Sequence, residues 1–238
     1  MTTHWQVTTV IAAELQTPTA RSFRLALSEP FKADAGAHVD IRLTAEDGYS
    51  TARAYSLSDV RETRTIEVTV ERADDGEVSP YLVDVAERGD PLEISGPHGN
   101  WFTWDPAGTE PVQLIGGGSG IVPLMSMIRL REVAAPSVPF NLVYSLRAPD
   151  RRYFGAELDQ LSSHHRMPIT YFHTRNAPDG DPRRPGRATA DELGAVTIAP
   201  ERQPTVFICG PTDFVEHCAR AMIAAGHDAA RIRTERLG

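Results

Sequence analysis

The first hundred residues alternate between apolar and polar positions in short runs. The alternation is clearest in residues 7–11, 22–27, 38–43 and 65–70, and glycine, proline and Asp-Gly pairs separate these runs at strand-and-turn intervals. The pattern predicts a six-stranded antiparallel Greek-key β-barrel. One helix interrupts it at residues 79–86, where Ser79 is the predicted N-cap and Pro80 the first helical residue.

Beyond a polar, turn-forming linker at residues 105–111, strands and helices alternate. Strands are predicted at residues 112–115, 140–145, 169–173, 205–209 and 231–235, with helical segments at 124–132, 154–161, 189–193 and 213–225. This alternation is typical of a parallel sheet with flanking helices. The sequence therefore predicts two domains, a β-barrel at residues 1–107 and an α/β domain at residues 108–238.

Composition excludes several classes of partner. The 238 residues carry a net charge of −8, which argues against a nucleic acid partner. No apolar run approaches the roughly 20 residues of a membrane span, and the N-terminus lacks the features of a signal peptide, so a cytoplasmic location is expected. Two cysteines are too few for an iron–sulfur cluster, and the pair at residues 164–165, His164-His165, is interpreted as solvated surface. No metal site is predicted.

Residues 115–123 read Ile-Gly-Gly-Gly-Ser-Gly-Ile-Val-Pro, between a predicted strand and a predicted helix. Backbone N–H groups at such a junction can bind an anion. A P-loop requires Gly-Lys-Ser/Thr where Ile121 and Val122 stand, and the dinucleotide fingerprint requires a third glycine at Ile121. The stretch therefore predicts a phosphate or cofactor loop of another kind, the alternative being a tight turn without a ligand.

Two further motifs lie in the predicted barrel. Arg53-Ala54-Tyr55-Ser56 offers a charge, an aromatic ring and a hydroxyl at a strand end, which suits a phosphate-bearing aromatic cofactor. Gly76-Glu77-Val78-Ser79 opens the barrel helix and is a second candidate anion site. An ordinary polar strand end and an ordinary capped helix are the alternatives.

The motifs together, in their order, resemble those of the ferredoxin–NADP reductase superfamily. The resemblance spans essentially the whole chain and rests on Arg53-x-Tyr55-Ser56, Gly76-x-Val78-Ser79, Gly96-Pro97-His98-Gly99-Asn100-Trp101-Phe102, Gly116-x-Gly118-x-Gly120-x-x-Pro123 and Cys209-Gly210-Pro211. It implies a flavin-binding barrel followed by a pyridine-nucleotide domain, with hydride passing from the nucleotide to FAD.

The resemblance also implies residue roles. Arg53 would pair with the flavin pyrophosphate, Tyr55 would lie on the isoalloxazine ring with Ala54 beside it, and Ser56 would bond near flavin N5. The other residues expected at the flavin are Thr69, Val70, Glu71, Gly76, Glu77, Val78, Ser79 and Ser119. Gly118, in the glycine stretch, is expected on the nucleotide side. Those expected under the nicotinamide are Cys209, Gly210, Pro211 and Thr212. Ser56, Cys209 and Glu235 are the candidate catalytic residues, and Cys218 is expected to serve packing.

The choice of nucleotide depends on the 2′-phosphate. Ser145 with Arg147, and Thr174 with Arg175, end successive strands, and guanidinium donors match a phosphate, so NADPH is favoured over NADH. Arg183-Arg184 are further candidate cations. At the C-terminus Glu235 matches the family glutamate, but Leu237 replaces an aromatic residue, which predicts easier nicotinamide access and some oxidase activity.

The sequence thus predicts an NADPH-dependent flavoprotein reductase that passes single electrons to an external ferredoxin or oxygenase iron–sulfur component. A free-flavin or quinone reductase and a non-catalytic flavin- or nucleotide-binding module are the alternatives. A dihydroorotate-type electron-transfer subunit is disfavoured because its cysteine cluster is missing from this sequence. The choice between FAD and FMN and the oligomeric state stay open.

Overall fold

The computed structural model of the chain describes residues 4–99, 101–164 and 167–237. Its N-terminal part is a closed antiparallel barrel with the strand order β1-β2-β5-β4-β3-β6. The strands are β1 (Trp5–Thr17), β2 (Ala20–Leu27), β3 (His38–Thr44), β4 (Ser50–Asp59), β5 (Thr65–Glu71) and β6 (Pro91–His98). The six-stranded antiparallel barrel expected from the alternating pattern is therefore confirmed.

Alternation places one face of each barrel strand in the interior, where Val10, Phe23, Val39 and Ile41 are fully buried. Strand β4 departs from this rule. Its N-terminal two thirds are exposed or half-buried, and full burial begins only at Leu57. The β4 segment that carries the Arg53 motif is therefore a barrel surface open to a ligand.

The barrel helix α1 (Val78–Asp84) does not begin as expected. Its N-cap is Glu77, and the Ser79 hydroxyl accepts a hydrogen bond from the Ala73 backbone N–H at 3.0 Å. The prediction that Ser79 caps the helix is wrong, because this hydroxyl closes the preceding loop and the helix starts at Val78, two residues before the expected first residue Pro80.

The C-terminal part is a five-stranded parallel sheet with the order β11-β10-β7-β8-β9. Its strands are β7 (Val112–Gly117), β8 (Phe140–Leu146), β9 (Ile169–His173), β10 (Thr205–Gly210) and β11 (Ile232–Arg236). The helices are α2 (Ile121–Ala134), α3 (Gly155–Ser163), α4 (Ala190–Val196) and α5 (Thr212–Ala224). The expected parallel α/β sheet is confirmed. From β7 the chain adds β8 and β9 on one side of the sheet, and it then returns to add β10 and β11 on the other side. The strand order therefore reverses between β7 and β10, and such a reversal is where these sheets bind ligands.

The loop that the glycine stretch forms is shorter than expected. Gly116 and Gly117 are the last residues of β7, and only Gly118–Gly120 form a short 3₁₀ turn before α2 begins at Ile121. Pro123 is the third residue of α2, where its missing N–H removes no helical bond.

The chain divides into two compact units. The barrel unit consists of the residues up to Asp105 together with Met125–Leu130, and the sheet unit consists of Pro106–Leu124 and the residues from Arg131 onward. The middle of α2 thus belongs to the barrel unit, where the Ser126 hydroxyl accepts a hydrogen bond from the Gly36 N–H at 2.8 Å. A domain boundary after residue 107 stays a prediction. Within the described part of the chain, no helix is long and apolar enough to cross a membrane.

Candidate functional site

The exposed part of β4 brings together a cation, a ring and a hydroxyl in the barrel unit. Arg53 is exposed, and its Nη1 donates to the Thr51 hydroxyl at 3.2 Å and to the Ala52 carbonyl at 2.8 Å. Tyr55 is half-buried and forms a hydrogen bond with Ser79. Burial raises the pKa of the Tyr55 phenol to about 12, against opposing effects of Arg53 and Ser79. The phenol is therefore neutral at physiological pH, and the nearest charge is the guanidinium.

The start of α1 lies beside the exposed part of β4, and we call the surface that these two segments form the β4 trough. A Cβ added to Gly76 would lie 3.0 Å from the Ser79 hydroxyl and 3.2 Å from the Ala73 carbonyl, so the loop closes tightly around this glycine. The Glu77 carboxylate accepts hydrogen bonds from the Tyr49 hydroxyl at 3.2 and 3.3 Å. Val78 is fully buried and serves as the anchor of α1. The structure thus gathers Arg53, Tyr55 and Ser79 as the sequence motifs predicted.

Ser56 lies opposite His38, and neither His38 nor its neighbour His98 was among the predicted site residues. Antiparallel pairing sets His38 opposite Ser56, and His98 opposite His38 on the other side. The two imidazole centroids are 5.5 Å apart, and His98 Nε2 lies 3.5 Å from Asp40 Oδ2. Burial, and then the nearby His98, lower the pKa of His38. Residues 46–48 form a three-residue turn in which Gly48 has a positive φ, and this turn sets the His38–Ser56 pairing. A two-residue Asp47-Gly48 turn would have placed Val39 opposite Ser56 instead.

The three residues predicted on β5 have different environments. Thr69 and Val70 are buried and Glu71 is exposed. The Thr69 hydroxyl hydrogen bonds to Ser22 at 2.8 Å and donates to Ser58 at 3.1 Å. Its side chain therefore serves the barrel interior, and only its backbone is left for contact with a ligand.

That interior bonding continues to the middle of α2. Ser58 donates to Glu67 Oε1 at 2.7 Å, and Arg129 Nη1 donates to the same oxygen at 2.6 Å and to the Ser58 carbonyl at 3.2 Å. The side chains of Arg129 and Glu67 are 10% and 21% exposed, so the pair is largely shielded from water. This polar chain fixes the buried end of β4 just beyond the Arg53 motif.

The donor set of the β4 trough fits a flavin nucleotide. The guanidinium of Arg53 suits a phosphate, the half-buried Tyr55 offers a ring face, and at Gly76 a side chain would crowd the Ser79 hydroxyl and the Ala73 carbonyl. No metal ligand is required for this combination.

The glycine turn and the end of β10 meet in the sheet unit. Cys209 pairs with Gly116 in register, and a Cβ added to Gly120 would overlap the Cys209 carbonyl and lie 2.7 Å from the Gly210 nitrogen. Phe214 fills the space beside Gly117 and Gly210 in the same way. Gly118 has φ +56° and nothing within 4 Å of an added Cβ, so its backbone alone faces open space. Most of the glycines therefore serve packing, and one leaves room for a ligand.

Around this turn the remaining predicted residues take distinct positions. Ser119 is half-buried in the turn, and Pro211 and Thr212 are exposed at the beginning of α5. Cys209 is fully buried, and burial followed by the nearby Glu235 raises the pKa of its thiol. The thiol is therefore neutral and unsuited to act as a nucleophile.

The C-terminal residues also reach the end of β10. Glu235 pairs with Cys209 in the parallel register of β10 and β11, and the Leu237 N–H donates to the Gly210 carbonyl at 3.0 Å. Cys218 is buried in the hydrophobic core of the sheet unit with Val215 and Met222, as expected for a packing residue. Leu237 and Glu235 thus flank the Cys209-Gly210 segment.

The residues predicted for the 2′-phosphate lie at the carboxyl ends of β8 and β9. The Arg175 N–H donates to the Arg147 carbonyl at 2.9 Å, so the two exposed arginines are neighbours. In the described part of the chain neither guanidinium has an ion-pair partner. Thr174 donates to the Leu146 carbonyl at 3.4 Å, and Ser145 is buried.

Arg183, a further cation near β9, already contacts neighbouring side chains. Arg183 lies 4.0 Å from the centroid of the Phe172 ring and 3.5 Å from Glu192, so the suggestion that it adds charge to the phosphate site is not supported. His164 ends α3, with its Nδ1 2.8 Å from the Gln160 carbonyl. His165 and Asn100, which the sequence analysis named, lie outside the described residues.

Fold and site together define a flavin- and nicotinamide-dependent oxidoreductase class. The Oxidoreductase FAD-binding domain model matches residues 8–103, and the Oxidoreductase NAD-binding domain model matches residues 114–220. The two models together match most of the chain, which therefore belongs to the FAD- and NAD-binding oxidoreductases, and its two domains support FAD and a nicotinamide nucleotide as cofactors.

The chain is similar in sequence to reductase components of oxygenase systems. The chain is 30% identical to the ferredoxin reductase component of 3-ketosteroid-9-alpha-monooxygenase from Rhodococcus rhodochrous, over 96% of the chain and 64% of the relative. It is 25% identical to the reductase component of the naphthalene 1,2-dioxygenase system from Pseudomonas putida, over 87% of the chain and 61% of the relative. The chain spans between half and two thirds of the length of these curated relatives.

A solved structure shares the whole fold. The FAD/NAD-binding domain of a nitric oxide dioxygenase from Vibrio cholerae superposes with a TM-score of 0.86, with 98% of each chain covered and 24% identity. This likeness supports the two-part architecture independently of the sequence motifs.

Proposed function

We propose that the protein is an NADPH-dependent flavoprotein reductase that passes electrons through FAD to an external protein acceptor. The observation that carries the proposal is the trough on β4, where an exposed guanidinium, a half-buried phenol ring and the Ser79 hydroxyl meet. These groups match a phosphate, an aromatic ring and a further polar atom of a flavin nucleotide.

When bound, the two cofactors supply the transfer of a hydride from nicotinamide C4 to flavin N5, followed by release of single electrons. The residues of this chain bind and orient them. Arg53 would pair with the pyrophosphate, Tyr55 would lie on the isoalloxazine ring and Ser56 would hydrogen-bond near flavin N5. Ser119 would serve the flavin, and Gly118 would let the nucleotide approach the backbone.

The end of β10 would hold the nicotinamide. Cys209 is a neutral, buried thiol, so its contribution is shape and exclusion of water. Glu235 beside it holds a carboxylate at the same strand end. Ser56, Cys209 and Glu235 are therefore proposed as the residues nearest the reacting atoms.

Arg147 and Arg175 favour NADPH over NADH. They are adjacent and exposed, and a fork of guanidinium donors matches a 2′-phosphate in geometry and charge. Arg147→Ala should raise KM for NADPH about tenfold or more, since a hydrogen bond to a charged group contributes about 1.5–3 kcal/mol. KM for NADH should stay unchanged. Arg220→Ala, on the exposed face of α5, is the matched control.

The acceptor is proposed from the relatives, which include reductase components of oxygenase systems. A ferredoxin or an oxygenase iron–sulfur component is the leading candidate. A free-flavin or quinone reductase, which needs no protein acceptor, is the second candidate, and a non-catalytic module is the third.

One series of measurements separates these candidates. The purified protein is examined for bound FAD, titrated with NADPH and NADH without oxygen, and then mixed with ferredoxin or with free flavin and quinone. Bound FAD that NADPH bleaches, with faster reoxidation by ferredoxin, supports the proposal. A flavin that neither nucleotide reduces would indicate a binding module, and faster reoxidation by free flavin or quinone would indicate the second candidate.

A further inference from the structure

The β4 trough extends beyond the residues that the flavin-binding motifs include. Side chains two residues apart lie on the same face of a strand, and the 3.2 Å contact of Arg53 with Thr51 shows that this face continues toward the start of β4. Tyr49 immediately precedes β4 on the same alternation, so Tyr55, Arg53, Thr51 and Tyr49 form one row.

A second line of contacts places Tyr49 beside the same trough. Its hydroxyl donates to the Glu77 carboxylate, while Ser79, two residues further on, bonds Tyr55. The segment of residues 77–79 therefore runs alongside the row and touches both aromatic residues. Tyr49 and Tyr55 are thus the two ends of one trough, with Arg53 between them.

Tyr49 is held in place yet open to a ligand. Its backbone N–H donates to Asp47 Oδ1 at 2.9 Å, and its carbonyl accepts from the Ala45 N–H at 2.8 Å, which closes the β3–β4 turn around it. Its hydroxyl is bonded to Glu77, but 57% of the residue is exposed. A ring fixed at both ends with open surface is suited to stacking.

The order of these groups matches the order of the parts of FAD. The row reads aromatic ring, guanidinium, aromatic ring, and FAD reads isoalloxazine, pyrophosphate, adenine. At ~3.4 Å per residue, Tyr49 lies about 20 Å from Tyr55 along an extended strand, whereas Arg53 lies only about 7 Å from it. FMN ends at its phosphate and would leave Tyr49 uncovered.

We propose that Tyr49 is the stacking platform for the adenine of FAD and makes the barrel select FAD over FMN. This inference rests on the proposed flavin function of the β4 trough, and it adds a specificity residue outside the motifs. Arg53 serves the phosphate that both flavins carry, and Tyr49 serves only the part that FMN lacks.

The test compares the dissociation constants of FAD and FMN for flavin-free protein by fluorescence titration. Tyr49→Ala should weaken FAD binding about five- to 150-fold, the range for loss of one aromatic–base stack, and leave FMN binding unchanged. Tyr49→Phe is the matched control: it keeps the ring, loses the Glu77 bond and should bind FAD within about threefold of the original protein. Arg53→Ala should weaken both flavins together.

Each other outcome is decisive. Equal weakening of FAD and FMN by Tyr49→Ala would show that Tyr49 only supports the turn, and no change in either would show that it is not contacted. Equal affinities of the unaltered protein for the two flavins would overturn the inference but leave the proposed function standing. Binding of neither flavin by the unaltered protein would instead overturn the proposed function.

Discussion

Gly120 offers a direct test of how the glycine turn is built. Its φ is −62° and its ψ −8°, an ordinary right-handed conformation that alanine adopts without strain. An added Cβ would nevertheless overlap the Cys209 carbonyl and lie 2.7 Å from the Gly210 nitrogen. Gly120→Ala therefore introduces a steric conflict and no dihedral conflict.

The size of the effect follows from what the methyl group meets. Both obstructing residues contribute backbone atoms of β10, so no side chain can rotate away and the strand end itself must move. Overpacking typically costs about 1–3 kcal/mol, and a backbone obstacle places this substitution at the upper end. We expect a loss of about 3 kcal/mol or more in the free energy of unfolding, or about 6–12 °C in Tm.

Gly118→Ala is the matched comparison two residues earlier. Gly118 has φ +56°, and nothing lies within 4 Å of an added Cβ, so the conflict there is dihedral and not steric. The left-handed conformation costs an alanine about 1–2 kcal/mol. The two substitutions thus add the same methyl group and isolate two different physical causes.

Urea unfolding followed by circular dichroism at the helical band reports on α2–α5 and measures both losses. FAD is kept saturating and nucleotide is omitted, because a bound ligand shifts apparent stability. Gly120→Ala should also raise KM for NADPH by displacing the Cys209-Gly210 segment. A Gly120→Ala protein within 1 kcal/mol of the original, or a larger loss in Gly118→Ala, would refute this account of the turn.

Three further predictions concern other parts of the chain. Arg129→Met should cost about 3 kcal/mol of unfolding free energy, because it leaves the Glu67 carboxylate shielded from water without its cation. The Glu67→Met/Arg129→Met protein should regain part of that loss, and strictly additive losses would contradict this account. Burial lowers the pKa of His227 from 6.5, so its stabilising contribution is present above about pH 6.5 and is lost as pH falls through the folded-state pKa. His227→Leu should therefore flatten the decline of Tm below pH 6.5, and an unchanged slope would exclude the imidazole as its source. Leu237→Tyr should slow reduction of bound flavin by NADPH and lower oxidase activity in oxygen-uptake assays; equal or faster reduction would show that Leu237 does not control access.

Sequence reasoning succeeded where the cause of a structure is local. Period-two alternation predicted the barrel strands because each strand has one interior face, and the alternation of strands and helices predicted the parallel sheet. The position of His38 opposite Ser56 was missed, because the β3–β4 turn has three residues and a two-residue Asp47-Gly48 turn would give a register shifted by one. The grouping of Arg53, Tyr55 and Ser79 followed from the family resemblance, which assigned all three to the flavin.

Sequence reasoning failed where a structural feature depends on residues that are far away along the chain. Gly117 and Gly120 are small because Phe214 and the end of β10, some ninety residues later in the chain, pack against them, and the local sequence did not indicate these contacts. Ser79 resembled an N-cap, but its hydroxyl serves Ala73. The polar chain from Ser22 to Arg129 joins segments with no pattern in common, so nothing in their local sequence indicated it.

The middle of α2 limits where the chain can be cut into fragments or recombined with a related sequence. Met125–Leu130 lies in the barrel unit although the chain on either side of it lies in the sheet unit. A fragment ending at Asp105 would lack the hydroxyl that satisfies the Gly36 N–H and the guanidinium that neutralises Glu67. Recombination that exchanged the downstream half would therefore destabilise the barrel unless the incoming sequence supplied a serine and an arginine at the same helical spacing. The barrel is thus encoded in two separate stretches of its gene.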